Sequence, residues 1–325
     1  MTACSGKIIS VVRYNGSLAG EWDAFVASAK NATFLFHRAY MDYNARIADH
    51  SLMFYKGGAL VALLPANIDG DVLESHGGLT YGGLVLGSSA GVADVMALFA
   101  ALRDFLLENT TVNKIIYRPL PHMYAQYPAE EDLYALFRYD AILLQRKVSS
   151  AVWLREPLPL STLRRRKVKQ AGQHALVVRE SGQYDVFWEM LSANLKERHN
   201  VAPVHTVDEM RMLVSRFPRN IRLFGVYAAD GAMLAGAVIY ETARVAHVQY
   251  IASAVAGRAC GALDLLFSHL IGKEFVGKEY FDFGNSVEQG GRYLNKGLIF
   301  QKEGFGARAV VYDTYEVSVN KIIDD

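Results

Sequence analysis

Cysteine is almost missing from this chain of 325 residues: there are two, Cys4 and Cys260, and neither sits at a metal-ligand spacing. A disulfide framework is excluded, and both are expected as free thiols in a reducing compartment. Long apolar runs are missing as well. No window reaches the roughly eighteen uninterrupted apolar residues that a membrane-spanning helix needs, and Val92 to Leu107 is too short or too interrupted. The start, MTACSGKIISVVRY, lacks the basic beginning and apolar core of a secretory signal, so a cytoplasmic protein without integral membrane contact is expected. Net charge is nearly absent, at +1, which removes a global field for duplex DNA or an anionic membrane. Partners must then be read from local patches.

What is present is the composition of a folded protein, 51% hydrophobic and 21% charged. The length suits two domains of roughly 150 residues. The order of elements repeats. Ser51 to Ile68 reads as two β-rich runs around Lys-Gly-Gly, and Arg222 to Glu241 as two more around Ala-Asp-Gly, both hairpin signals. After the first come the strand-like YGGLVLGSS, the helix VADVMALFAALRDFLLEN and the strand KIIYRPLP. After the second come HVQYIASAVAG, the helix GALDLLFSHLIGKEF and the strand KEYFDFGNS. Hairpin, strand, glycine-containing turn, helix, strand in both halves predicts two copies of one α/β unit, each a mixed sheet flanked by helices. The boundary is expected at Pro157 to Ser161, giving domains 1–157 and 158–325. Between the hairpins, Ser161 and Thr206 are expected as helix N-caps.

Chemistry has few places to sit. There is no Gly-x-Ser-x-Gly elbow, no cysteine in a nucleophile setting and no paired metal ligands, so neither a covalent intermediate nor a metal is expected. The turn GRACGA, with Arg258, Cys260, Gly261 and Ala262, leads into a helix. It reads either as an anion cradle of free N–H groups or as a tight turn that needs small residues. Arg164, Arg165, Arg166, Lys167 and Lys169 put five cations in six residues. They suit a phosphate-bearing substrate or, equally, a solvated linker helix. SHGGLTYGG sets His76 and Tyr81 among four glycines, where backbone comes close to a ligand or to a neighbouring strand. His199 and His205, in the loop RHNVAPVHT, titrate near neutrality without tuning. Asp282, in FDFG, would need partial burial to act as a base.

GRACGA resembles the pyrophosphate loop of the GNAT acyltransferases: Arg258 and Gly261 fit, while Leu263 stands where that motif has glycine or alanine. The ending, FDFGNS and then LNKGLIFQKEGFGARAVVYD, is similar to the close of the FemAB-like branch, in which two GNAT units are fused. Lys302, Gly304, Phe305 and Gly306 match its Phe-Lys-spacer-Gly-Phe-Gly element, with Gln301 in place of the usual aromatic. SHGGLTYGGLVL and NLKERHNVAPVHT look like bacterial relatives associated with surface polysaccharide. The resemblance covers nearly the whole chain and implies two tandem GNAT-like domains, the first on the acceptor side and the second on the donor side.

It implies N-acyl transfer from acetyl-CoA or another acyl-CoA to the amine of a small acceptor, such as an amino sugar. The alternative is aminoacyl transfer from aminoacyl-tRNA to a cell-wall precursor. A different class, a non-catalytic module binding a phosphorylated glycan or nucleotide, also stands. By resemblance, Lys302 lies on a late strand and stabilises the oxyanion, with Asp282, His199 or His205 as base. Arg258, Cys260, Gly261 and Ala262 hold the donor. His76, Tyr81, Arg164, Arg165, Arg166, Tyr250, Asn285 and Asn295 contact substrate.

Overall fold

The computed structural model describes residues 9–43 and 46–323, apart from the side chain of His199. Cys4 lies outside the described residues. The chain forms two compact units, Met1–Lys147 with Val311–Asp325, and Val148–Val310. The division falls inside the strand Ile142–Trp153 rather than at Pro157. The end of the chain returns to the first unit because Tyr315 to Ser318 pair antiparallel with the strand Lys114–Tyr117.

In the first unit the expected hairpin is Leu52–Lys56 with Ala59–Leu64, closed by Gly57 and Gly58 at φ 60° and 83°. Positive φ at both turn residues matches the right-handed twist of the strands, and glycine adopts it without strain. Ile9–Arg13 and Val85–Leu86 flank this hairpin, all antiparallel. A second hairpin, Asn67–Asp69 with Val72–Glu74, was not foreseen. Its second strand, Val72–Glu74, runs parallel to Lys114–Tyr117, and the chain between the two carries the helix Val92–Asn109. Phe54, Phe99, Leu102, Ile115 and Tyr117 fill the core between sheet and helix.

The second unit is an antiparallel run of Val177–Ser181, Ile221–Tyr227, Met233–Glu241 and Val245–Ser253. Val245–Ser253 then lies parallel to Tyr280–Asn285, which pairs antiparallel with Ile142–Trp153. Ser161 caps the helix Thr162–Ala171 through the Arg164 N–H, and Thr206 with Glu209 forms a capping box on Val207–Arg216, as the sequence leads one to expect. Phe267, Phe281, Phe283 and Phe305 pack edge-on at 5.0–6.2 Å between centroids, with Phe283 and Phe305 tilted at 5.5 Å. Each such side chain contributes about 1.5–3 kcal/mol by leaving water.

Lys302 does not lie on a strand. It sits in the last turn of the helix Lys296–Glu303, and Gly304 caps that helix. The Gly-Phe-Gly that follows is a packing device. Gly306 has φ +90°, and a Cβ there would lie 2.4 Å from the carbonyl oxygen of Leu158. Phe305, held between the glycines, enters the aromatic core at 2% exposure. Among the described residues no helix is long and apolar enough to cross a membrane.

Candidate functional site

The parallel pairing of Val245–Ser253 with Tyr280–Asn285 extends over three positions, Val245 with Tyr280, Ala246 with Phe281 and His247 with Asp282. Alternation along FDF turns Phe281 and Phe283 into the aromatic core and Asp282 to the other face. Asp282 is fully buried. A buried carboxylate must be matched by donors, and three converge on it. Ser149 Oγ donates to Oδ1 at 2.5 Å, the Gly284 N–H donates to the same oxygen at 3.0 Å, and His247 Nδ1 lies 2.7 Å from Oδ2. Gly284, at φ +74°, ends the regular strand here, and a Cβ on it would lie 3.4 Å from Cε1 of His247.

Lys302 reaches the same turn from its helix. Its Nζ donates to the carbonyls of Gly284 and Asn285, both at 2.8 Å, using two of its three N–H groups. Burial lowers its pKa to about 8, against the opposing pull of Asp282. The ammonium therefore binds the two carbonyls where the strand turns away. One residue on, the Ser286 hydroxyl is buried with no hydrogen-bond partner among the described residues. Asn295 caps the Lys302 helix through the Leu298 N–H and donates to Glu288, while Asn285 is exposed.

A second polar group lies further along Val245–Ser253. Tyr250 OH is 2.5 Å from Nδ1 of buried His205, whose carbonyl accepts from Trp188 Nε1 at 3.0 Å. His199 closes the helix Tyr184–His199, and its side chain is outside the described residues. Beside that helix is an open pocket of about 330 Å³ whose lining includes Met190, Asn194, Glu197, Met233, Val255 and Arg258.

The turn expected at GRACGA lies earlier. The strand ends at Ser253, and the helix Val255–Cys260 starts at once, so Arg258 and Cys260 are helical. The Arg258 N–H donates to Ala254 and the Gly261 N–H to Gly257, while the Arg258 guanidinium donates to the Ser253 carbonyl. Gly261, at φ +77°, joins this helix to Ala262–His269, and a Cβ on it would lie 3.2 Å from the Lys167 carbonyl oxygen; Ala262 is buried. The small residues serve helix packing.

The basic helix divides. Arg164 forms a 2.5 Å ion pair with Asp264, and burial raises the pKa of that carboxyl despite the arginine. Arg165 and Arg166 are exposed. In the first unit His76 and Tyr81 are buried, at 4% and 3% exposure. Tyr81 OH donates to Thr33, whereas Nδ1 of His76 has no partner among the described residues. Burial lowers the His76 pKa to about 4.

Of the residues expected from sequence, Asp282, Asn285 and Lys302 meet at one turn. His247 and Ser149 belong with them and were not foreseen. The signal was a histidine between the buried residues Ala246 and Val248 and an aspartate between two phenylalanines, polar groups on strands that are mostly buried.

Residues 161–290 match the family described as Acetyltransferase (GNAT) domain. No curated protein matches the chain by sequence. Among solved structures it is similar to FemX at 12% identity, with 96% of this chain and 98% of that one covered and a TM-score of 0.67. It is also similar to L-PGS from Bacillus licheniformis, at 12% identity, coverage of 91% and 90% and a TM-score of 0.60. A third is the C-terminal domain of a putative lysylphosphatidylglycerol synthetase from Agrobacterium fabrum, at 13% identity, 93% and 92% coverage and a TM-score of 0.57. The chain thus shares the fold of FemX over nearly its whole length, and its residues 161–290 match a GNAT acetyltransferase domain.

Proposed function

We propose that the protein transfers an aminoacyl group from aminoacyl-tRNA to the amine of a small acceptor of the cell envelope. The observation that carries this reading is the helical GRACGA segment. A coenzyme A pyrophosphate needs a run of outward N–H groups. Here those of Arg258 and Gly261 are bonded within the helices, Leu263 occupies a motif position, and Gly261 faces the Lys167 carbonyl. The full-length likeness to FemX supports the same choice, as does a neighbour named for an aminoacyl lipid product, lysylphosphatidylglycerol.

In this reaction the acceptor amine attacks the ester carbonyl, negative charge collects on its oxygen, and the ribose oxygen leaves. Lys302, with two N–H groups anchored on the Gly284 and Asn285 carbonyls, would present its remaining charge to that oxygen. The anchoring fixes the ammonium before substrate arrives, so little reorganisation accompanies charge development.

Transfer from acyl-CoA is the second reading, favoured by the acetyltransferase description of the family that residues 161–290 match. The test presents both donors, tRNA charged with radiolabelled amino acids and radiolabelled acetyl-CoA, to amino sugars and a nucleotide-linked muropeptide. Label passing from tRNA to an acceptor is expected, with a loss of at least about 100-fold in Lys302→Met. Acetyl transfer with tRNA label untouched would replace this reading with the second.

A further inference from the structure

We propose that His247 is the general base of the transfer, with Asp282 and Ser149 as the residues that position it. The inference rests on the acyl-transfer reading above and adds the group that takes the proton.

An amine attacking an ester becomes positively charged and must lose a proton before the product amide forms. The acceptor of that proton needs a lone pair at the reacting atoms and a pKa near neutrality. Among the expected bases, Asp282 is buried and accepts hydrogen bonds from Ser149 and Gly284, which leaves it poorly placed to meet a substrate. His205 has its Nδ1 against Tyr250.

His247 differs in that one ring nitrogen is assigned by its surroundings and the ring keeps 13% of its side-chain exposure. Asp282 Oδ2, 2.7 Å from Nδ1, is an acceptor, so Nδ1 carries the proton and the lone pair of the neutral ring sits on Nε2. Asp282 is itself fixed by Ser149 and the Gly284 N–H. This is the division of labour of a histidine oriented by a buried carboxylate, which also stabilises the imidazolium once it forms.

The location agrees with the role. His247 and Asp282 form the last parallel pair before the strands part, and Lys302 holds the two carbonyls immediately beyond. Base and oxyanion-stabilising cation thus flank one turn. The proton balance closes: the amine nitrogen bonds the carbonyl carbon, its proton passes to Nε2, the carbon–oxygen bond to ribose breaks, and the same proton goes to the departing oxygen. No co-reactant is required.

Titratable groups face the ring from the elements packed against it. Asp282 faces it from Tyr280–Asn285, with Lys302 beyond that carboxylate on Lys296–Glu303, and Tyr240 is its register partner on Met233–Glu241. The helix Tyr184–His199 meets the same strand through Trp188 and Asn194, neither of them titratable, and His205 lies with Tyr250 further along.

The test compares parent, His247→Gln and Asp282→Asn over a pH series at saturating substrates, using whichever donor the parent accepts. In the parent log kcat should rise with unit slope as the imidazole loses its proton. His247→Gln should lose at least about 100-fold in kcat with KM little changed, and its acid limb should disappear. Asp282→Asn should lose rate because the ring can turn to its other tautomer. A His247→Gln variant that keeps both rate and acid limb overturns the proposal, while transfer from tRNA by the parent leaves the functional reading standing. Nitrogen-15 NMR of histidine-labelled parent tests the geometry without any substrate. A proton on Nδ1 and a lone pair on Nε2 are expected, and the opposite tautomer overturns the proposal.

Discussion

Among the described residues each unit contains one pair of parallel strands with helix between them in the chain, and the two pairs end differently. In the first unit, Val72–Glu74 lies beside Lys114–Tyr117, and the chain's own backbone continues the seam. Ser75 N–H donates to Ile116, Ser75 Oγ accepts from the Arg118 N–H, and the Gly82 N–H donates to the Arg118 carbonyl. In the second unit, pairing stops at His247 and Asp282, and polar side chains occupy the space beyond. The difference is one of what fills an equivalent opening. Backbone closed on itself and on a serine hydroxyl makes a seam, whereas a carboxylate, an imidazole and an ammonium held by carbonyls make a place where charge can develop. This supports assigning the chemistry to the second copy.

The largest expected effect comes from breaking the closed seam. A Cβ on Gly82 would lie 1.9 Å from the Ser75 carbonyl oxygen, a backbone atom that cannot swing aside. Gly82→Ala should destabilise the fold by about 3 kcal/mol, read as a lower urea midpoint. Gly284→Ala is its counterpart at the open end. There the Cβ would make ordinary contacts, with the His247 ring at 3.4 Å and the Val248 carbonyl oxygen at 3.7 Å, and the cost is the positive φ of +74°, about 1 kcal/mol. The second substitution should damage transfer more than folding. Equal losses of stability would remove the distinction between seam and opening.

How much of this was legible in the sequence follows from the same contrast. The two hairpins, the long helix Val92–Asn109 and the caps at Ser161 and Thr206 rest on local rules, glycine turns, periodicity and side-chain capping, and all are present. The parallel partner Val72–Glu74 was not legible, because a three-residue strand carries no period and its pairing is with residues some forty positions away. GRACGA left two readings open, an anion cradle or a tight turn needing small residues, because a glycine's role is not legible until its neighbour is known; Gly261, at φ +77°, does make the turn between two helices. Gly257, with Leu234 O only 2.1 Å from any Cβ, is required by packing. Lys302 and Asp282 could be singled out by resemblance. Nothing local in HVQYIAS ties His247 to a residue on another strand.

Buried aspartates sharpen the comparison. Asp282 is surrounded by donors, as a carboxylate needing its charge would be. Asp132, in the first unit, accepts from Tyr117 OH at 2.8 Å, and burial raises its pKa to about 6. A folded pKa above the unfolded value means that this group's stabilising contribution is complete below about pH 4 and is lost as pH rises through about 6. Above that the ionised carboxyl costs about 1–3 kcal/mol. Asp132→Asn, which keeps the acceptor for Tyr117, should match the parent near pH 4 and exceed it by about that amount at pH 8, in urea midpoints. An unchanged difference across pH would mean that Asp132 stays ionised throughout and that the first unit too maintains a buried charge.

The basic helix gives the smallest effect and repeats the contrast within ten residues, Thr162–Ala171. Arg164 is turned inward onto Asp264, and Arg165 and Arg166 are left in solvent. Exposed cations contribute little to folding, so the double substitution Arg165→Gln with Arg166→Gln should shift stability by no more than about 0.5 kcal/mol. Their work, on the proposed reading, is to meet phosphates. Each phosphate contact releases counterions, so the double variant should bind tRNA more weakly, with a slope of log affinity against log salt shallower by about 1.4 to 1.8. Identical affinity and slope would make the two arginines solvated surface and move the tRNA contact away from this helix, while the inward-facing Arg164 would keep its structural place.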